Sequence, residues 1–253
     1  DNETITINFL LTEPAGSIVV TSAPDGARIF LDGTDTGEVT NTTLENVPVG
    51  TPTVRVERDG YLEAEETVTV TSGEIAAVHF DLEPAAITLQ PGWNFVSTPK
   101  RLADGQDTIA VFDGVDTNGR PVLFYNGTCQ WEDLSREDAF RPLDGIWIYS
   151  NSTYEIPLSF AAASYSPPPT KYLDEGWNAI GFTGTVPEPA VTTLRTVEMT
   201  WANLWGWKAR EQAYDASIIR GATGRYGEMR ELSPFQGYWI YMNDADRLTA
   251  IEA

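Results

Sequence analysis

The chain has 253 residues, with 37 Asp and Glu against 16 Lys and Arg and a formal net charge of −21. Nucleic acid is excluded as a partner, because holding phosphates takes clustered Lys and Arg and this chain has three lysines. No run of 18 apolar residues exists, so nothing is built to span a membrane as a helix. Cys129 is the sole cysteine, so no intrachain disulfide forms and stability must come from apolar cores.

Residues 1–14 read as one strand, in which Ile5, Ile7, Phe9 and Leu11 alternate with Thr4, Thr6, Asn8 and Leu10 before Pro14 and Gly16 end it. Asp1 fits the start of a processed or trimmed chain, with no signal peptide before it. Residues 15–85 read as a compact all-β unit. Ser17–Ser22 alternates and stops at the turn composition Ala23-Pro24-Asp25-Gly26, and Asp32-Gly33 is a hairpin signal after Ala27–Leu31. Thr53–Glu57, Glu66–Thr71 and Ile75–Leu82 supply further strands, the last presenting Ala76, Val78, Phe80 and Leu82 inward and the only histidine, His79, outward.

This stretch resembles the PEGA domain, a small surface-associated β-sandwich. The residues that carry the resemblance are Gly16-Ser17-Ile18-Val19-Val20, Pro24-Asp25-Gly26-Ala27, Leu31-Asp32-Gly33, Val47-Pro48-Val49-Gly50, Val54-Arg55-Val56 and Gly60-Tyr61. The resemblance implies a non-catalytic interaction or spacer module in an envelope protein.

The rest of the chain is a duplication. Gly92-Trp93-Asn94 returns as Gly176-Trp177-Asn178, and Gly145-Ile146-Trp147-Ile148-Tyr149 returns as Gly237-Tyr238-Trp239-Ile240-Tyr241. Such a period is far longer than that of a solenoid, so residues 86–162 and 163–253 read as two related β-rich domains, sandwich- or barrel-like, joined through Pro167-Pro168-Pro169. Asp107–Phe112 reads as a helical turn capped by Asp107, and Glu188–Val197 as a short helix. Asn126-Gly127 signals a hairpin in the first repeat that the second lacks. The paired repeats resemble GWN-and-GYWI modules beside PEGA domains in exported proteins of methanogenic archaea, which implies a surface-layer, sheath or adhesion role.

Candidate sites follow. Trp93, Trp147, Trp177 and Trp239 stand at matching landmarks and are expected in cores. Trp201, Trp205 and Trp207 share one strand parity where the repeats differ, and are the glycan-contact candidates. Asn2, Asn41, Asn126 and Asn151 begin Asn-x-Ser/Thr sequons, the mark of surface glycosylation in an exported chain. The run Asp113–Gly119 hints at a calcium loop but has Gly114 and Tyr125 where carboxylates are required, so it reads as a turn. One Cys and one His on separate domains, and no nucleophile, zinc or phosphate-loop motif, leave no catalyst, metal or cofactor to name.

The reading is an all-β, extracellular, cell-surface structural protein that assembles with copies of itself; the alternative is a glycan-binding adhesion module. Shifted by 71, Ile5, Ile7, Phe9 and Leu11 fall on Ala76, Val78, Phe80 and Leu82, so the chain begins with a copy of the last strand of the PEGA-like unit. A strand of that kind pairs with a sheet of its own chain, is the remnant of a trimmed upstream domain, or adds to a neighbouring copy, and the last would build a polymer.

Overall fold

The computed structural model describes residues 14–128, 130–161 and 167–250. The strand read from Ile5, Ile7, Phe9 and Leu11 lies outside the described residues, as do Asn2 and Cys129. The fold is nearly all β, and no barrel closes among the described residues. The chain divides into two compact units between Pro84 and Ala85.

The first unit holds β1 (Ala15–Ala23), β2 (Arg28–Leu31), β3 (Thr34–Val39), β4 (Thr42–Pro48), β5 (Thr53–Glu57), β6 (Ala64–Thr67) and β7 (Ile75–Asp81). Sheet β4-β1-β7 faces sheet β3-β2-β5-β6. Alternation puts Ile18, Val20, Val78 and Phe80 of one sheet in a single core with Ile29, Val54 and Val56 of the other. Each such side chain stabilises the sandwich by about 1.5–3 kcal/mol. β1 pairs antiparallel with β4 and parallel with β7, so Val20 lies beside Val78. The hairpin at Asp32-Gly33 has φ of 47° and 78°, the mirror-image turn that suits the strand twist.

β4 is a strand that alternation hides. Its inward residues Leu44 and Val47 are three apart, because Asn46 takes φ 58° in a bulge and shifts the ladder. β6 ends at Thr67, earlier than the apolar pattern implies; Val70 leaves the ladder and exchanges backbone bonds with Gly50 instead.

The second unit contains both repeats. The first has β8 (Ala86–Leu89), β9 (Gly92–Val96), β10 (Val122–Tyr125), β11 (Trp131–Leu134), β12 (Ile146–Ser150) and β13 (Tyr154–Pro157). The second has β14 (Thr170–Leu173), β15 (Gly176–Gly181), β16 (Glu188–Pro189), helix α1 (Ala190–Thr193), β17 (Trp201–Lys208), β18 (Ala213–Tyr214), β19 (Ile218–Ile219), β20 (Glu231–Leu232), β21 (Gly237–Met242) and β22 (Asp246–Thr249). Order β11-β10-β12-β9 in one repeat matches β18-β17-β21-β15 in the other, and pair β8·β13 matches β14·β22. β17 and β18 pair Trp207 with Tyr214, so the second repeat keeps the hairpin and lacks only its Asn-Gly turn. The first repeat's helical turn is a 3-10 turn over Ile109–Phe112, preceded by Thr108; Asp107 does not cap it and accepts the Gly105 N–H instead. The expected second helix is broken into β16, α1 and a 3-10 turn, with Pro189 just before α1.

The Gly-Trp-Asn landmark is a turn clamp. The Asn94 amide nitrogen donates to the carbonyls of Gln90 and Gly92, and its oxygen accepts the Gln90 N–H at 2.8 Å. Asn178 makes the same three bonds to Asp174 and Gly176. Both asparagines are buried, so the clamp satisfies their own amides while holding the tight turn from its inner side.

Candidate functional site

The strands of Gly-x-Trp-Ile-Tyr bury both faces. Ile148 and Ile240 point into the core of their own repeat, while Trp147 and Trp239 point the other way, toward the sister repeat. There Phe95 stacks on Trp147 with centroids 4.5 Å apart and leans on Trp239 at 5.6 Å. Tyr125 of the first repeat meets Trp239 of the second edge-on at 5.0 Å, and Trp207 of the second meets Trp147 of the first edge-on at 5.1 Å. Register makes these contacts counterparts, since Tyr125 opposes Trp131 as Trp207 opposes Tyr214. The repeats therefore meet about an internal pseudo-two-fold, as two subunits do in an isologous dimer.

The backbone obeys the same symmetry. The Ser97 N–H donates to the Phe235 carbonyl at 2.9 Å, and the Gly181 N–H to that of Leu143 at 2.8 Å. Leu143 and Phe235 have φ of 68° and 63°, a left-handed conformation that apolar residues seldom adopt. That conformation carries each side chain across the boundary: Leu143 joins the core of the second repeat and Phe235 packs on the core of the first. The hairpin loops cross as well. Gln212 bonds the N–H and carbonyl of Trp93, and Gly127 rests against Asn178 where a Cβ would have no room.

The symmetry breaks at the flanks. Lys171 is tied to Asp144 at 2.6 Å and lies over the Phe124 ring, whereas Ile87 stands at the position matching Lys171. A groove of about 600 Å³ opens between the repeats there, bounded by Gln90, Trp207, Lys208, Glu211 and Gln236.

The expected tryptophan assignments are partly corrected. Trp201 is 1 % exposed in the core of the second repeat, because a bulge between Trp201 and Asn203 reverses its parity relative to Trp205. Trp207 is half-buried and donates its indole N–H to the Trp93 carbonyl at 2.8 Å. Trp205 stays at the surface, 36 % exposed. Trp147 is buried, Trp93 and Trp239 are half-buried, and Trp177 is 40 % exposed. These four line the second face of their sheets and are not in their repeats' own cores. Parity within Gly-x-Trp-Ile-Tyr was the signal for this, since a strand apolar on both faces is covered on both.

Asn41 is exposed, and its oxygen accepts the Ser22 N–H. Asn126 is half-buried and donates to Glu132; Asn151 is exposed and donates to Asp116 at 2.8 Å. Asn151, followed by the Asn118 N–H, holds the Asp116 carboxyl below the usual carboxylate range, which ties the 113–119 turn to the end of β12. Among the described residues, no three His, Cys, Asp or Glu side chains are grouped to hold a metal ion. His79 is exposed on β7, 2.8 Å from the Thr21 hydroxyl.

The family model of the PEGA domain matches residues 15–86, the sandwich with its last inward residue Leu82 and the joint that follows. Residues 15–86 are a PEGA domain. PEGA domains are typical of extracellular or periplasmic proteins, and no helix among the described residues is long and apolar enough to cross a membrane. No curated protein matches the chain. Among solved structures, the Bacillus anthracis TIE protein aligns with 94 % of this chain and 45 % of its own at 12 % identity and a TM-score of 0.24, a likeness too slight to bear on fold or function. The chain thus spans less than half of that structure.

Proposed function

We propose that this chain is a non-catalytic structural component of an extracellular surface assembly, a filament, sheath or surface layer, and that it joins copies of itself by strand addition. The observation that carries the reading is the place of β7. It lies at the end of the order β4-β1-β7 and sends Val78 and Phe80 into the sandwich core, and its apolar pattern recurs at Ile5, Ile7, Phe9 and Leu11. A sequence with that pattern is made to cover one side of such a core, and its backbone amides need a ladder. The PEGA domain supports an exported setting, and the fused repeats supply a stiff body between contacts. The resemblance of the repeats to modules of exported methanogen proteins agrees with a surface role.

Donor and acceptor surfaces differ in this scheme, so the contact is heterologous and need not close, which allows open chains. We assign the protein no reaction and no cofactor. Deletion of residues 1–12 tests the reading by electron microscopy and light scattering. The full chain is expected to form regular polymers and the truncated chain to remain a folded monomer. Unchanged polymers from the truncated chain would overturn it.

A further inference from the structure

The aromatic face that joins the two repeats continues, uncovered, across the second repeat. Register places Trp177, Tyr241 and Asn203 in one row across β15, β21 and β17, with Ile219 on β19 at its end. Trp205 stands in the next row opposite Trp239, and Tyr214 packs edge-on against Trp205 at 5.7 Å. Trp177, Trp205 and Tyr214 are 40 %, 36 % and 48 % exposed. The corresponding face of the first repeat is built differently: Arg120 lies 3.9 Å over the ring of Tyr149, the counterpart of Tyr241, Leu123 occupies the place of Trp205, and Trp131, the counterpart of Tyr214, packs on Trp239 at 5.7 Å.

We propose that this face of the second repeat binds a neutral oligosaccharide, a function beyond the assembly role. Indole and phenol rings offer flat apolar surface to the C–H faces of sugar rings, and Asn203 supplies an amide between them for hydroxyl groups. Trp177 and Trp205 are separated by two inter-strand spacings and a two-residue step along the strand, roughly 11–12 Å, so both are engaged by an extended chain of sugars and not by a single ring. The face runs on from the interface between the repeats, which holds its strands in place, so the platform is rigid before any ligand arrives. A neutral glycan meets no charge repulsion at this face of a chain of net charge −21.

Affinity electrophoresis of the full chain through gels containing β-glucan, xylan, mannan or galactomannan tests this. At least one polysaccharide should retard the protein. Trp205→Ala and Trp177→Ala should each weaken retardation at least ten-fold while melting as the parent does, and Tyr172→Ala, an exposed ring on β14 outside this sheet, should leave it unchanged. No retardation by any of the four, or equal loss in all three variants, would overturn the proposal. So would a Trp205→Ala protein that binds as the parent does, or a parent that self-associates through this face in sedimentation velocity while Trp205→Ala does not.

Discussion

The ring of Phe95 occupies the space a side chain on Gly237 would need: a Cβ there would lie 2.5 Å from its nearest ring atom. Gly145, the counterpart of Gly237, meets the same ring at 2.8 Å and the Ile180 carbonyl at 2.6 Å. The glycines that open both Gly-x-Trp-Ile-Tyr strands are thus set by the meeting of the repeats. Gly237→Ala should destabilise the second unit by about 1–3 kcal/mol through overpacking, and Gly145→Ala by at least as much, because backbone yields less than a ring edge. Thermal unfolding by tryptophan fluorescence reads both.

The exchanged residues Leu143 and Phe235 make the repeats one cooperative body. Leu143→Ala should cost about 2–5 kcal/mol, and Phe235→Ala less, since its ring is only half-buried. Hydrogen exchange locates the damage: Leu143→Ala should loosen amides of β15 and β21 in the second repeat before those of β9. Loss of protection confined to the first repeat would contradict the exchange.

Much of the fold was legible. Alternation and turn residues mark most strands of the first unit, and the twin Gly-Trp-Asn and Gly-x-Trp-Ile-Tyr landmarks mark the duplication. The misses share one physical cause, which is that local periodicity does not record departures from a ladder. The bulge at Asn46 masks β4, and the bulge after Trp201 turns an expected surface indole into a core one. The exchange of Leu143 and Phe235 depends on two left-handed residues and on their partners Gly181 and Ser97 in the other repeat, so no window of sequence displays it. At the candidate site, Trp205 was legible as a surface residue, whereas Trp177, Tyr214 and Tyr241 join it only through strand register.

The turn clamp predicts a sharp dependence on an amide. Asn94→Asp removes the bonds its amide nitrogen donates while keeping the shape, and leaves the Gln90, Gly92 and Ile148 carbonyls short of a donor. It should cost about 2–3 kcal/mol, as should Asn178→Asp, with little change in the urea m-value. Denaturant titration checks the pair.

Tyr238 predicts a pH effect. Burial pushes its phenol up to about 12, with the Ser233 N–H donating to its oxygen as a smaller, opposing influence. Its folded value lies above the unfolded value of about 10. The neutral form is therefore the one the fold favours, and its contribution is complete below about pH 10 and lost as pH rises through about 12. Absorbance titration at alkaline pH should show one tyrosine ionising late, together with loss of structure, and Tyr238→Phe should remove that late step.

Cryo-electron microscopy of polymers of the full chain decides whether assembly proceeds by strand addition. Residues 3–11 of each copy should lie as an added strand on the sheet of a neighbouring copy, with Ile5, Ile7, Phe9 and Leu11 turned into its core. Polymers whose copies touch only through other surfaces, with that segment paired inside its own chain, would contradict it.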